Sequence, residues 1–190
     1  AYLGYLAGHE TISDAVADTA FKRLCERLWQ DEILPTVPPP EGEDLPAYCA
    51  ALMSRYYNPA IQHRTWQIAM DGSQKLPQRI LGTLRDIVAA GRMPKGLCLV
   101  IAGWMRYVAG TNEAGQAIDV RDPMADQLKV AARSTNPVTA LLSIEAIFGS
   151  DLASNADVVA AIQSAYQKLL SDGAAKTVRA YLEQTPLMKC

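Results

Sequence analysis

The sequence predicts a mainly α-helical fold built from many helices in a single domain spanning residues 1–190, and three observations carry that reading. Apolar residues recur three and four apart through most of the chain, the spacing of a helical face. Capping Asp and Ser residues, first-turn Pro and trailing Gly punctuate those runs as helix boundaries do. Only one short stretch, Asn112-Glu113-Ala114-Gly115 followed by Gln116 to Val120, suggests strands, as one small β-hairpin near 112–120.

Taken in order, Thr11 to Ala17 reads as a brief helix or turn. Asp18 caps a longer helix whose Phe21, Leu24, Cys25 and Leu28 form one continuous face, and Pro35 ends it. The run Val37-Pro38-Pro39-Pro40-Glu41-Gly42 is a stiff surface connection. Asp44 starts the next helix, which is expected to bury Leu52, Met53 and Tyr56 and to stop at Asn58-Pro59. A helical turn through Trp66 and Ile68 is interrupted at Asp71-Gly72-Ser73. From Pro77, the positions Ile80, Leu81, Leu84, Ile87 and Val88 make an amphipathic helix with Gly91 just past its end. Gly96 to Ala109 is apolar nearly all round, as a central core helix should be. Helices follow near Met124 to Ala132 and over Val138 to Phe148. Ser154 and Asp157 read as a capping box for a last run that buries Val159, Ile162, Tyr166 and Leu169, with a break at Gly173 before Val178 to Leu182.

Composition narrows the function. Half the chain is apolar (49%) and the net charge is −2, so disorder is excluded and no basic excess marks a nucleic-acid binder. Two His leave no material for a His cluster. The longest apolar stretch, Leu97 to Met105, is nine residues and stops at Arg106, far short of the roughly 20 needed to span a bilayer. The N-terminus lacks the basic region of a signal peptide, and the missing initiator Met suggests that residue 1 is not the natural start. Cys25, Cys49, Cys98 and Cys190 are scattered without metal-ligand spacing, so reduced thiols in a cytoplasmic protein are expected, with Cys25 and Cys98 on buried faces.

No glycine-rich dinucleotide fingerprint, phosphate loop, H-E-x-x-H or G-x-S-x-G elbow is present in the sequence. The dense polar cluster runs from Asn58 to Pro77 and gathers an amide, an imidazole, a guanidinium, an indole, a carboxylate and an ammonium. Such groups on a helix end and its adjoining turn suit a polyhydroxylated or carboxylate ligand. The competing reading is a cap-and-turn at Asp71-Gly72-Ser73 with solvated charges. Arg106, set in the most apolar helix, needs either an internal carboxylate or a ligand as partner. Trp66, Trp104, Met53, Met70 and Met105 read as packing residues.

The run His63 to Leu81 (HRTWQIAMDGSQKLPQRIL), the opening AYLGYLAG, and Ala102-Gly103-Trp104-Met105-Arg106-Tyr107 resemble the C-terminal domain of the mannitol dehydrogenase family of long-chain polyol and sugar-acid dehydrogenases. The likeness continues through Ile147-Phe148-Gly149 and Asp151-Leu152 and is strongest to the fructuronate reductase (D-mannonate oxidoreductase) branch. The resemblance implies a fold like the C-terminal domain of 6-phosphogluconate dehydrogenase. It also implies reversible NAD- or NADP-dependent oxidation of a sugar alcohol or sugar acid, without a metal, in partnership with an N-terminal nucleotide-binding domain. The family's catalytic Lys…Asn…His motif would lie just upstream of residue 1, so this chain carries no catalytic residue of its own, binds no nucleotide alone and is expected to be inactive by itself. Lys75 matches the family's substrate-binding Lys. Polyol-specific members carry Arg eight residues earlier, where this chain has Gln67, and tend to carry Asp at the position of His63. Both departures favour the sugar-acid branch, with His63 and Arg64 as carboxylate contacts. Two other readings are a mannitol- or arabinitol-type polyol dehydrogenase domain, and a non-catalytic helical scaffold that retains the family fold. An apolar face around Tyr2, Leu3 and Tyr5 is expected where the nucleotide domain would meet this one.

Overall fold

The computed structural model describes residues 1–184, and its regular elements are helical. In order they are α1 (Tyr2–Leu6), α2 (Ile12–Ala17), α3 (Thr19–Arg27), α4 (Leu45–Tyr57), α5 (Thr65–Ala69) and α6 (Gly72–Leu76), then α7 (Gly82–Ala89), α8 (Lys95–Val108), α9 (Ala125–Ala132), α10 (Pro137–Leu142), α11 (Glu145–Ser154) and α12 (Ala156–Gln184). The axis of the assembly is α8. Its Leu97, Ile101, Trp104, Met105 and Val108 are almost wholly buried, and α12, α1, α9 and α10 lie against it. Trp104 meets Phe148 of α11 edge-on at 5.8 Å, so aromatic packing joins the axis to the C-terminal half.

Local chemistry sets the boundaries. Thr11 and Asp14 form a reciprocal capping box on α2, Asp18 accepts from the Ala20 N–H at the start of α3, and Asp44 accepts from the Ala47 N–H at the start of α4. Gly173 sits inside α12 at φ 77°, ψ 170°, the break expected there.

Several expectations are corrected. The hairpin at 112–120 is a turn closed by one Thr111–Ala117 bridge: Asn112 Oδ1 accepts the Ala114 and Gln116 N–H groups, and the pairing stops at two backbone bonds, Asn112 N–H to the Gln116 carbonyl and Ile118 N–H to the Gly110 carbonyl. The cap of α12 is Asn155, whose Oδ1 accepts from the Val158 N–H, while the Ser154 hydroxyl turns back to the Asp151 carbonyl. That shift of register buries Val158 and leaves Val159 at the margin. The single helix over Val138 to Phe148 is two, parted at Ser143 and Ile144. Pro77 does not start a helix. It lies in a continuous helical path from Gly72, where a widened π turn over Pro77–Leu81 absorbs its missing N–H.

Arg106 is half-buried and pairs with no carboxylate among the described residues. Its guanidinium donates to the carbonyls of Thr111 (2.7 Å) and Asn112 (3.2 Å), tying the turn to α8. Trp66 is a surface ring, 36% exposed, with the Arg121 guanidinium 4.5 Å from its centre. Tyr2, Leu3 and Tyr5 do not form a bare apolar face. Leu3 is buried, and both tyrosine rings pack on Tyr107 at 5.6 and 5.7 Å. Cys98 is buried and Cys25 and Cys49 are half-buried, all three as free thiols, and burial pushes the Cys98 thiol up to about 12. Cys190 lies outside the described residues.

Candidate functional site

The polar cluster is held to the N-terminal arm by a short backbone staple. The Ile12 N–H donates to the His63 carbonyl and the Thr65 N–H to the Glu10 carbonyl, both at 2.9 Å. The buried Thr65 hydroxyl adds a 2.8 Å bond to the His9 carbonyl. These bonds fix α5 against the strand-like segment that follows α1. The Arg64 N–H is then capped by the Gln67 side chain at 3.2 Å.

After α5 the chain must reverse within two residues. Asp71 does this in the left-handed region (φ 57°, ψ 35°), a conformation that Asp tolerates better than most residues. Its N–H donates to the Arg121 carbonyl, and Asp122 receives both the Ser73 N–H (2.8 Å) and the Ser73 hydroxyl (2.6 Å). The start of α6 is therefore anchored to the 121–122 segment from two sides.

Gly72 makes the close approach possible. A Cβ there would lie 2.7 Å from Trp104 Cδ1 and 2.9 Å from the Tyr2 hydroxyl oxygen, and would also collide with Trp104 Nε1. The indole N–H has no hydrogen-bond partner among the described residues. Burial and the neighbouring Tyr107 and Asp122 raise the Tyr2 hydroxyl far above the ordinary tyrosine value, and burial pushes Tyr107 up to about 12. Both tyrosines are neutral at physiological pH and present O–H groups rather than phenolates.

Lys75 projects back across α5. Its half-buried ammonium donates to the carbonyls of Ile68 (3.2 Å) and Met70 (2.6 Å), which the short helix leaves without internal partners. An ammonium has three N–H donors, so the third remains for an oxygen of a ligand. Arg64 pairs with Glu10 at 2.7 Å, but the two side chains are 42% and 78% exposed, and such a pair is weak enough for a competing carboxylate to displace.

Arg64 lines an open cleft of about 320 Å³ with Tyr5, His9, Glu10, Trp66 and Asn112. His63 lines a different, smaller cavity of about 100 Å³ with Ser13, Arg55, Tyr56 and Asn58. Arg64 and Gln67 are brought together; His63 and Arg64, adjacent in sequence, diverge. Among the described residues, no group of three or more His, Cys, Asp or Glu side chains could hold a metal ion. Thr65, Asp122 and Tyr2, which organise the cluster, had no local signal, since their partners lie tens of residues away. Among the described residues, no helix is long and apolar enough to cross a membrane.

Residues 1–170 match the model of the mannitol dehydrogenase C-terminal domain. The chain belongs to that family. It is 49% identical over 95% of its length to D-mannonate oxidoreductase of Escherichia coli K12, and 34% identical over 95% to mannitol 2-dehydrogenase of Phaeosphaeria nodorum. These alignments cover 38% and 31% of the relatives, so the chain spans about a third of their length. In structure it is similar to Pseudomonas fluorescens mannitol 2-dehydrogenase, solved as a ternary complex with NAD and D-mannitol, with a TM-score of 0.93, 28% identity, and coverage of 97% of this chain and 38% of that one. The family's C-terminal fold is all-helical here, in agreement with the class read from periodicity.

Proposed function

We propose that this chain is the substrate-binding domain of an NAD- or NADP-dependent oxidoreductase that interconverts a sugar acid and its keto form, of the D-mannonate and D-fructuronate type. The observation that carries this reading is the position of Lys75. Its ammonium is fixed by two carbonyls with one donor left over, beside the segment where α1 enters and packs on α5 and α8. The resemblance puts the catalytic Lys…Asn…His motif just upstream of that segment, so the reacting carbon and Lys75 would share one site. Likeness to D-mannonate oxidoreductase along nearly the whole chain supports the sugar-acid branch.

The work assigned to this chain is holding the substrate. Lys75 donates to a substrate oxygen, Gln67 offers an amide where polyol enzymes carry Arg, and Arg64 exchanges Glu10 for the substrate carboxylate, while His63 lines a separate cavity and does not share that contact. Among the described residues there is no sheet and no glycine-rich strand-to-helix turn to cradle a pyrophosphate. The resemblance assigns the dinucleotide to the partner domain, where it would accept or donate the hydride.

The test uses the full-length enzyme that contains this chain and a panel of fructuronate, tagaturonate, mannitol and arabinitol with NADH or NAD. The Lys75→Met variant is expected to lose about 100-fold in kcat/KM on the hexuronate, equal to ~2.7 kcal/mol of transition-state binding. Arg64→Ala should raise KM for hexuronates more than for polyols, and His63→Ala, in the separate cavity, should raise it less. An unchanged hexuronate KM in Arg64→Ala removes the carboxylate assignment, and activity confined to polyols removes the sugar-acid reading.

A further inference from the structure

Helix α4 has thirteen residues, and only Met53 among them is buried. Tyr48 is 60% exposed, and Ala47, Ala50, Ala51 and Ser54 are exposed around it. Asp44, Tyr48, Ala51 and Arg55 follow one another at spacings of four, three and four, so they form a single stripe along the helix. The order along that stripe is acid, large ring, small side chain, base. Turned end for end, it is its own complement.

A second copy of α4 laid antiparallel, with a twofold axis between Cys49 and Ala50, sets Asp44 opposite the second copy's Arg55. It also sets Tyr48 over the second copy's Ala51, and both contacts occur twice. The charges are not spent within the chain. Arg55 makes no ion pair among the described residues, and the Asp44 carboxylate is engaged only by the Ala47 N–H at 3.0 Å. Antiparallel helices also bring opposite dipole ends together, and the small side chains Ala47 and Ala51 let the axes approach closely. We propose that the chain self-associates through this face of α4 as a twofold antiparallel pair, a property independent of the reaction assigned above.

Sedimentation velocity of the full-length enzyme that contains this chain, from about 1 to 100 µM, tests this directly. The expected result is a monomer–dimer equilibrium. Arg55→Glu places like charges at both ends of the pair and weakens association about tenfold or more, and Asp44→Lys does the same. An equimolar mixture of the two variants restores both attractions and regains the dimer as a heterodimer. Far-UV circular dichroism of each variant shows whether α4 survives loss of the Asp44 cap, and Arg55→Glu, which touches no cap, carries the test alone if it does not. A chain that is monomeric throughout the range overturns the proposal. So does a dimer whose association constant Arg55→Glu leaves unchanged, because some other surface then holds it.

Discussion

Helices α8 and α4 are nearly equal in length and both are rich in apolar residues, yet eleven of the fourteen residues of α8 are buried and one of the thirteen of α4 is. The difference lies in what surrounds them. Four other helices converge on α8, and Glu32, from a π turn over Leu28–Ile33 that follows α3, caps its first turn with two 2.7 Å bonds, one carboxylate oxygen accepting from the Gly96 N–H and the other from the Leu97 N–H. Around α4 the chain supplies α2 along one side and Trp29, whose ring lies 6.4 Å from that of Tyr56. Apolar content thus specifies a demand for a partner and leaves open whether the partner lies in the same chain.

Substitutions can break this contrast, starting with the largest effect. Trp104→Ala empties the centre of the α8 core and should cost about 3–5 kcal/mol in urea denaturation, enough to unfold a marginal domain. Next, Glu32→Gln replaces an acceptor oxygen by an NH₂ group that faces a buried N–H, at a cost of about 1–3 kcal/mol. Burial raises the Glu32 carboxyl above its ordinary value despite those two N–H donors. The folded chain therefore holds that proton more tightly than the unfolded one, and the Glu32 contribution to stability declines as pH rises from the ordinary glutamate value through the raised one. The Glu32→Gln variant should lose that slope in a pH series of melts. In α4, Tyr48→Ser should change the stability of the dilute chain by less than about 0.5 kcal/mol. A loss on the scale of Trp104→Ala would mean that α4 is as much a part of the core as α8. The smallest effect belongs to the Arg85–Asp151 fork, bonds of 2.6 and 3.0 Å between exposed groups. The Arg85 hydrogen bonds hold Asp151 below its usual range, so its contribution is present above the ordinary aspartate value and fades as pH falls through the lowered one. Asp151→Asn should flatten the acid end of the same pH series slightly.

What the sequence disclosed followed the range of its signals. Caps at Asp18 and Asp44, the all-round apolar run of α8 and the break at Gly173 are decided by neighbours within a few residues, and each stands where periodicity placed it. Asn155 took the cap expected of Ser154 because the two adjacent residues are both capable caps and only the packing of Val158 selects between them. The carboxylate expected beside Arg106 is replaced by carbonyls of the 111–112 turn, which leave no trace in a sequence. Of the proposed site, Lys75 and its neighbours were singled out through resemblance alone. The Ser73–Asp122 bonds, across 49 residues, and the divergence of His63 from Arg64 emerge only once the helices are assembled.

The staple between residues 9–12 and 63–65 has a dynamic consequence. The helical path that continues from α3 ends at Thr36, one residue beyond Pro35, at one side, and the three bonds of the staple clamp the chain at the other. The excursion between them can loosen while both of its ends stay fixed, because little beyond Met53 ties it to the interior. Amide protons of residues 45–57 should then exchange through a local opening, at a free energy well below that of residues 95–108, which report global unfolding. Lys75 sits on the protected side of the clamp. Motion in the outer helix is thereby kept from the polar cluster, whose geometry stays set while the neighbouring segment breathes.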